Sequence, residues 1–171
     1  MSHIIALNHR PETLLTYRQL HAKLQTSPEG AVLNFLLALH LYRLKSVSGL
    51  SALTLAVHSL RLQPGKEGFE NLQLSRNDQV SIATQLKLSP AIPDAYILGC
   101  GPENQYRIPP SPFRTRFSIP KLSGDPLTGT IRIAITCSGA ATQREVLCRI
   151  EKTRFWRVDE WSALMIPVKT P

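Results

Sequence analysis

The chain reads as an α+β protein: an N-terminal bundle of about four helices packed on a small C-terminal antiparallel β-meander. Three observations predict it. Leucine-rich segments with helical spacing fill residues 11–88. Eight prolines then fall between positions 90 and 126, where no helix can continue. Beyond them Ile131, Ile133, Ile135 and Cys137 alternate with Arg132, Ala134 and Thr136, the two-residue period of a strand. Helices followed by strands is the pattern of helices laid on one face of a sheet. A length of 171 residues suits a single domain with one core. Its parts are a helical half at about 11–88, a proline-rich connection at about 89–128 and a β-rich tail at about 129–168.

The first helix is expected from Pro11 to Leu24, where Pro11 and Glu12 suit a first turn. A second follows at once, with Ser27 as cap, Pro28 at the first helical position and Glu29 complementing the dipole. Ala31 to Tyr42 is apolar nearly all round, so this helix is expected in the middle of the packing. A third helix is read from Leu50 to Leu60, and Gln63 to Gly68 as the break after it. The fourth spans about Asn77 to Leu86 behind a capping box, with Asp78 in the usual Glu or Gln place. In the connection, short edge strands are expected at Tyr96–Leu98 and Phe113–Phe117. Val146, Cys148 and Ile150 mark a second strand of the tail, and Arg154 to Trp161 a third.

Hydrophobic residues at 43% and charged residues at 19% describe a soluble globular chain, not a disordered one. The net charge of +8 suits an acidic partner, an anionic surface or nucleic acid. No block of five like charges occurs, which excludes a basic arm. The N-terminus lacks the apolar length of a signal peptide, and Asn34, His40 and Arg43 interrupt the longest apolar zone. Cys100, Cys137 and Cys148 are too few and wrongly spaced for a disulfide scaffold or a zinc ribbon. The reading is cytoplasmic, with no membrane span.

Cys100, between Gly99 and Gly101, is the one candidate nucleophile. A catalytic thiol needs a base, and all five histidines (3, 9, 21, 40 and 58) fall in the helical half. The structural reading of the same tripeptide is a glycine-supported turn with a small buried thiol. Ser138-Gly139-Ala140 lacks the first glycine of a nucleophile elbow and reads as a hairpin turn. No metal-ligand spacing and no phosphate-binding loop is present, so no metal and no cofactor is expected. Asp159 and Glu160 are adjacent on a strand and point to opposite faces. Glu145, Arg149 and Glu151 read as cross-strand salt bridging on an outer face. Arg114 and Arg116 project opposite Phe113 and Phe117, and Arg132, Arg149 and Arg157 line one side of the meander. Such a face binds single strands only if aromatics join it, and the alternation turns these aromatics toward the core.

Pro102-Glu103-Asn104-Gln105-Tyr106, Pro112-Phe113, Ser138-Gly139-Ala140 with Arg144, Trp156 with Glu160, and Ser162-Ala163-Leu164 form an ordered series. In that series the chain resembles an uncharacterised bacterial family, a domain of unknown function with a helical front and a strand-rich tail. The family often has Asp-Ser-Pro where this chain has Ala141-Thr142-Gln143. The resemblance implies no activity. Read physically, Asn104 caps a turn, Tyr106 packs under it, and Arg144 reaches Glu160 or a backbone carbonyl. Glu103, Asn104, Tyr106, Ser138 and Arg144 mark the place where a polar site would converge.

The functional expectation is a non-enzymatic protein that binds a protein partner, of an accessory, adaptor or immunity type in a secretion or toxin setting. Its binding residues are Glu103, Asn104, Tyr106, Arg114, Arg116, Arg144 and Arg157. The alternatives are an enzyme built on Cys100 or the polar tail, and a nucleic-acid-binding module.

Overall fold

A strand comes before any helix. In the computed structural model, which describes residues 1–125 and 127–171, β1 (Ser2–Leu7) forms the outer strand of the main sheet. Pro126, counted in the proline-rich connection, lies outside the described residues. α1 (Leu14–Leu24) starts three residues later than Pro11, because the Thr13 hydroxyl accepts from the Thr16 amide at 3.2 Å and sets the first turn there. α2 (Pro28–Leu44) begins as expected, with Ser27 Oγ accepting from the Gly30 amide at 3.0 Å. Every residue from Gly30 to Leu41 is buried, so α2 is the central element that its all-round apolar sequence demands.

α3 (Ser46–Ala56) starts before Leu50 and stops before Leu60. Gly49 lies inside it, and a Cβ at that position would strike the Tyr42 backbone, so the glycine permits the close approach of α2 and α3. The helix ends where Val57 turns extended and the His58 amide donates to the Val158 carbonyl at 2.8 Å. Residues 63–68 are a strand, not a break. β2 (Leu62–Phe69) and β3 (Leu72–Leu74) form a separate hairpin, irregular between Pro64 and Phe69. Its tip is Glu70-Asn71, both at positive φ, the conformation of a tight hairpin turn. α4 (Arg76–Leu88) follows, capped by Ser75 Oγ at 3.1 Å from the Asp78 amide.

β4 (Phe113–Ser118), β5 (Gly124–Asp125), β6 (Thr130–Ile135), β7 (Arg144–Ile150) and β8 (Trp156–Glu160) complete the main sheet. Its order is β1-β4-β6-β7-β8, antiparallel throughout, with the short β5 beside β6. Two expectations need correction here. Tyr96–Leu98 is not a strand, because successive turn bonds curl residues 89–100 (Ile97 N to Asp94 O, Cys100 N to Ile97 O). Phe113–Phe117 is a strand but not an edge, because β1 pairs with it on one side and β6 on the other. The α+β class holds, but helices and strands interleave. A strand precedes α1 and a hairpin separates α3 from α4.

α2 packs across β6, β7 and β8, with α1 and α3 beside it. Phe117, Ile133, Ile135, Val146, Cys148 and Val158 point to that side and are fully or almost fully buried. The register places Arg114, Arg116, Arg132, Arg149 and Arg157 on the opposite face. No helix among the described residues is long and apolar enough to cross a membrane.

Candidate functional site

Three groups of polar residues emerge from this frame. The first is the free face of the sheet. Arg114, Arg116 and Arg132 are exposed on β4 and β6, and none of the described ion pairs or side-chain hydrogen bonds uses their guanidinium groups. Glu145, exposed opposite Ala134, is the acidic residue beside them. Phe113 and Phe117 turn to the core, Phe117 completely.

Arg149 and Arg157 share the face but differ in circumstance. Arg149 is bound to Asp159 through Nε at 3.1 Å and Nη2 at 3.0 Å. Its partner is thus Asp159 of the neighbouring strand, not Glu145 or Glu151 as the alternation of sign suggests. Asp159 is buried and Glu160 exposed, and Asp159 is the extra residue where β7 and β8 shift register. Among the described residues Arg157 donates only to the carbonyl of Trp156, at 2.9 Å, and burial lowers its pKa from the arginine value while Tyr17 and Glu151 partly restore it.

The second group is where the tail signature converges. Asn104 Oδ1 accepts from the Gly101 amide at 3.0 Å and its Nδ2 donates to the Gly99 carbonyl at 2.7 Å, closing the 3-10 turn Pro102–Asn104. Glu103 is exposed and folds over Gly101. The Tyr106 hydroxyl donates to the Lys169 carbonyl at 2.5 Å. Arg144, buried, donates to the Ile166 carbonyl at 2.6 Å, the Pro167 carbonyl at 3.3 Å and the Tyr96 hydroxyl at 2.9 Å. It reaches backbone carbonyls and not Glu160. Ser138 Oγ donates to the carbonyls of Ala95 and Cys100. The Lys169 amide donates to Gly139, whose missing Cβ leaves room for Tyr106 and Val168. Arg144, Tyr106 and Gly139 hold the chain's own segment 166–169, whereas Asn104 and Ser138 bond within residues 95–101.

Cys100 lies beneath this group and is fully buried. Burial, and next the Asp94 carboxylate, push its thiol up to about 11. Asp94, Arg10, Arg43 and Glu103 act on it electrostatically, and no histidine is among them. Cys137 and Cys148 are also buried and free, their thiols raised chiefly by burial.

The third group is one that sequence reasoning missed. His58 Nδ1 accepts from the Leu60 amide at 3.1 Å, and its Nε2 lies 3.4 Å from Glu151. Glu151 also accepts from the Ser59 amide at 2.8 Å and the Ser59 hydroxyl at 3.0 Å. Both imidazole nitrogens are therefore engaged, and the carboxylate caps the 3-10 turn Ser59–Arg61. Beside this tie runs a groove of about 740 Å³, between His58–Leu60, the β2–β3 tip and the β7–β8 turn. Nothing local marks this tie, because Glu151 lies 92 residues beyond Ser59. No cluster of three or more His, Cys, Asp or Glu able to hold a metal lies among the described residues.

The architecture is that of an α+β protein with one helix-covered and one open sheet face. The chain belongs to the family of the domain of unknown function DUF6935, whose sequence profile matches residues 9–171. No curated protein and no solved structure matches it.

Proposed function

We propose that this protein acts by binding an acidic protein partner through the open face of its main sheet, without chemistry of its own. The observation that carries the reading is the set Arg114, Arg116 and Arg132, exposed together on one face and free of any described ion pair. Arginine is favoured at protein interfaces because its planar fork pairs with carboxylates while its stem packs against apolar surface. Ile4 on β1 and Ile119 just past β4 add apolar area at the margins. Aromatic platforms, which single-stranded nucleic acid needs for stacking, face the core instead. Burial of Cys100 and its raised thiol favour a structural role over a nucleophilic one.

The role proposed is that of an accessory, adaptor or immunity-type partner in a bacterial secretion or toxin system, acting in the cytoplasm, where three free thiols persist. The Pro-Glu-Asn-x-Tyr, Ser-Gly-Ala and Arg144 signature is proposed to belong to the family's frame, since here it holds the segment 166–169. The test is recovery of partners from host lysate on a tagged copy, with and without nuclease. A stoichiometric partner that survives nuclease and is lost from the Arg114→Glu, Arg116→Glu, Arg132→Glu variant supports the reading. Nuclease-sensitive recovery, or equal recovery by the variant, overturns it.

A further inference from the structure

The groove beside His58 is lined by both apolar and charged side chains. Arg157 lies in it with a single hydrogen bond, to the carbonyl of the residue before it. A guanidinium has five N–H donors, so most of its capacity is unused. The nearby carboxylates are committed elsewhere. Asp159 is held by Arg61 and Arg149, and Glu151 by His58 and Ser59. Half-buried cations without a bound carboxylate are uncommon, because desolvation is compensated only by a partner. Leu60, 72% exposed, and Leu72, 39% exposed, line it together with Ile150. Lys152, Thr153 and Glu70 also line it. Arg149, Lys152 and Arg157 against Glu70 and Glu151 leave the lining one positive charge in excess, which matches a single negative charge.

We propose that this groove binds a small monocarboxylate with an apolar tail, its carboxylate on Arg157 and its tail against Leu60 and Leu72. The Arg157 fork matches a carboxylate in two parallel hydrogen bonds. The leucines remove the tail from water and supply preference for longer chains. The site shares a sheet face with Arg114, Arg116 and Arg132 but is lined by none of them.

The test follows the Arg157 Nε–H resonance by nuclear magnetic resonance in the full chain, at pH 7 and constant ionic strength. Hexanoate, acetate and inorganic phosphate are titrated separately. Hexanoate is expected to give a saturable shift and to bind at least about fivefold more tightly than acetate, from partial burial of its four extra methylenes. Arg157→Gln is expected to weaken hexanoate about tenfold or more, the loss of a charge-assisted pair. Leu60→Ser, an exposed change that leaves the fold intact, is expected to narrow the gap between hexanoate and acetate. Absence of a saturable shift overturns the proposal, as does hexanoate binding unchanged in folded Arg157→Gln. Phosphate binding more tightly than hexanoate overturns the carboxylate assignment. If Arg157→Gln does not fold, a hexanoate-to-acetate ratio unaltered by Leu60→Ser overturns it.

Discussion

Asp159 and Arg61 are 98 positions apart, yet Arg61 Nε donates to Asp159 Oδ1 at 2.8 Å. The other carboxylate oxygen accepts from Arg149, and the Asp159 side chain is only 1% exposed. This carboxylate joins the turn after α3 to the outer strand of the sheet and to its neighbour. The same edge is bridged through Val57 and Val158, so the two halves meet there by backbone and by charge. Removing the carboxylate leaves two guanidinium groups facing a neutral amide. Asp159→Asn is expected to cost about 3 kcal/mol, a fall in melting temperature of roughly 6–12 °C for a chain of this size. Arg61→Ala, from the half-exposed side of the pair, should cost only about 1 kcal/mol. Thermal unfolding of the two variants checks the order.

Acid should destabilise the fold before the aspartates titrate. Burial, then Arg157, hold the His21 imidazole down at about 4. Burial, then Arg10 and Arg43, do the same for His40, also at about 4. In the unfolded chain a histidine protonates near ~6.5. Between those values the unfolded state binds protons that the folded state refuses, so stability falls as pH falls from about 6.5 to about 4. Each histidine should contribute about 1–3 kcal/mol to that loss. Asp94 and Asp159 add to it at lower pH. Burial acts to raise their carboxyl pKa values, but the paired arginines hold both below the usual range. Their contribution is present above ~4 and lost as pH falls through the lower folded values. Urea midpoints at pH 7, 6, 5 and 4 measure the slope, and His40→Gln should flatten part of it.

Release of the terminal segment should be separable from unfolding. Arg144 holds the carbonyls of Ile166 and Pro167, and Tyr106 that of Lys169. Tyr106→Phe removes one of these bonds and should cost about 1 kcal/mol. Arg144→Met strips three and should cost about 2–3 kcal/mol. In both variants the amides of Val168 and Lys169, which donate to Ser89 and Gly139, should lose hydrogen-exchange protection ahead of the sheet. Protection that falls uniformly across the protein instead would show that the segment is no separate unit.

The thiols should be inert while the fold is intact. At pH 8 a thiol with a pKa of about 11 is about one part in a thousand thiolate, and all three cysteines are buried. Iodoacetamide followed by mass spectrometry should find Cys100, Cys137 and Cys148 unmodified in native protein and all three modified in urea. Rapid native labelling of Cys100 would restore its claim to be a nucleophile.

Elements whose determinants are local were legible. Ser27-Pro28-Glu29 marks the start of α2 because cap, fixed φ and dipole partner sit in three consecutive residues. β6 and β7 declare themselves through Ile131, Ile133 and Ile135 and through Val146, Cys148 and Ile150, each set two residues apart on one face. β1 escaped notice because Ser2–Leu7 is six residues without a turn signal, and its pairing partner lies more than a hundred positions away. The β2–β3 hairpin was hidden behind Pro64 and Gly65, although Glu70-Asn71 was the available sign of its turn. That Arg144 and Tyr106 hold residues 166–169 was not legible, because backbone carbonyls carry no mark in a sequence.

The amino-acid order alone determined the class of fold, the burial of α2, the Ser27 and Ser75 caps, and the side of β4 on which Arg114 and Arg116 stand. Those follow from periodicity and capping, which act within a few residues. Tertiary structure alone decided that Arg149 answers Asp159, that Glu151 caps a turn 92 residues before it, and that Arg157 is left facing a groove. Charge pairing depends on which distant segments come within about 4 Å, and only packing of the core settles that.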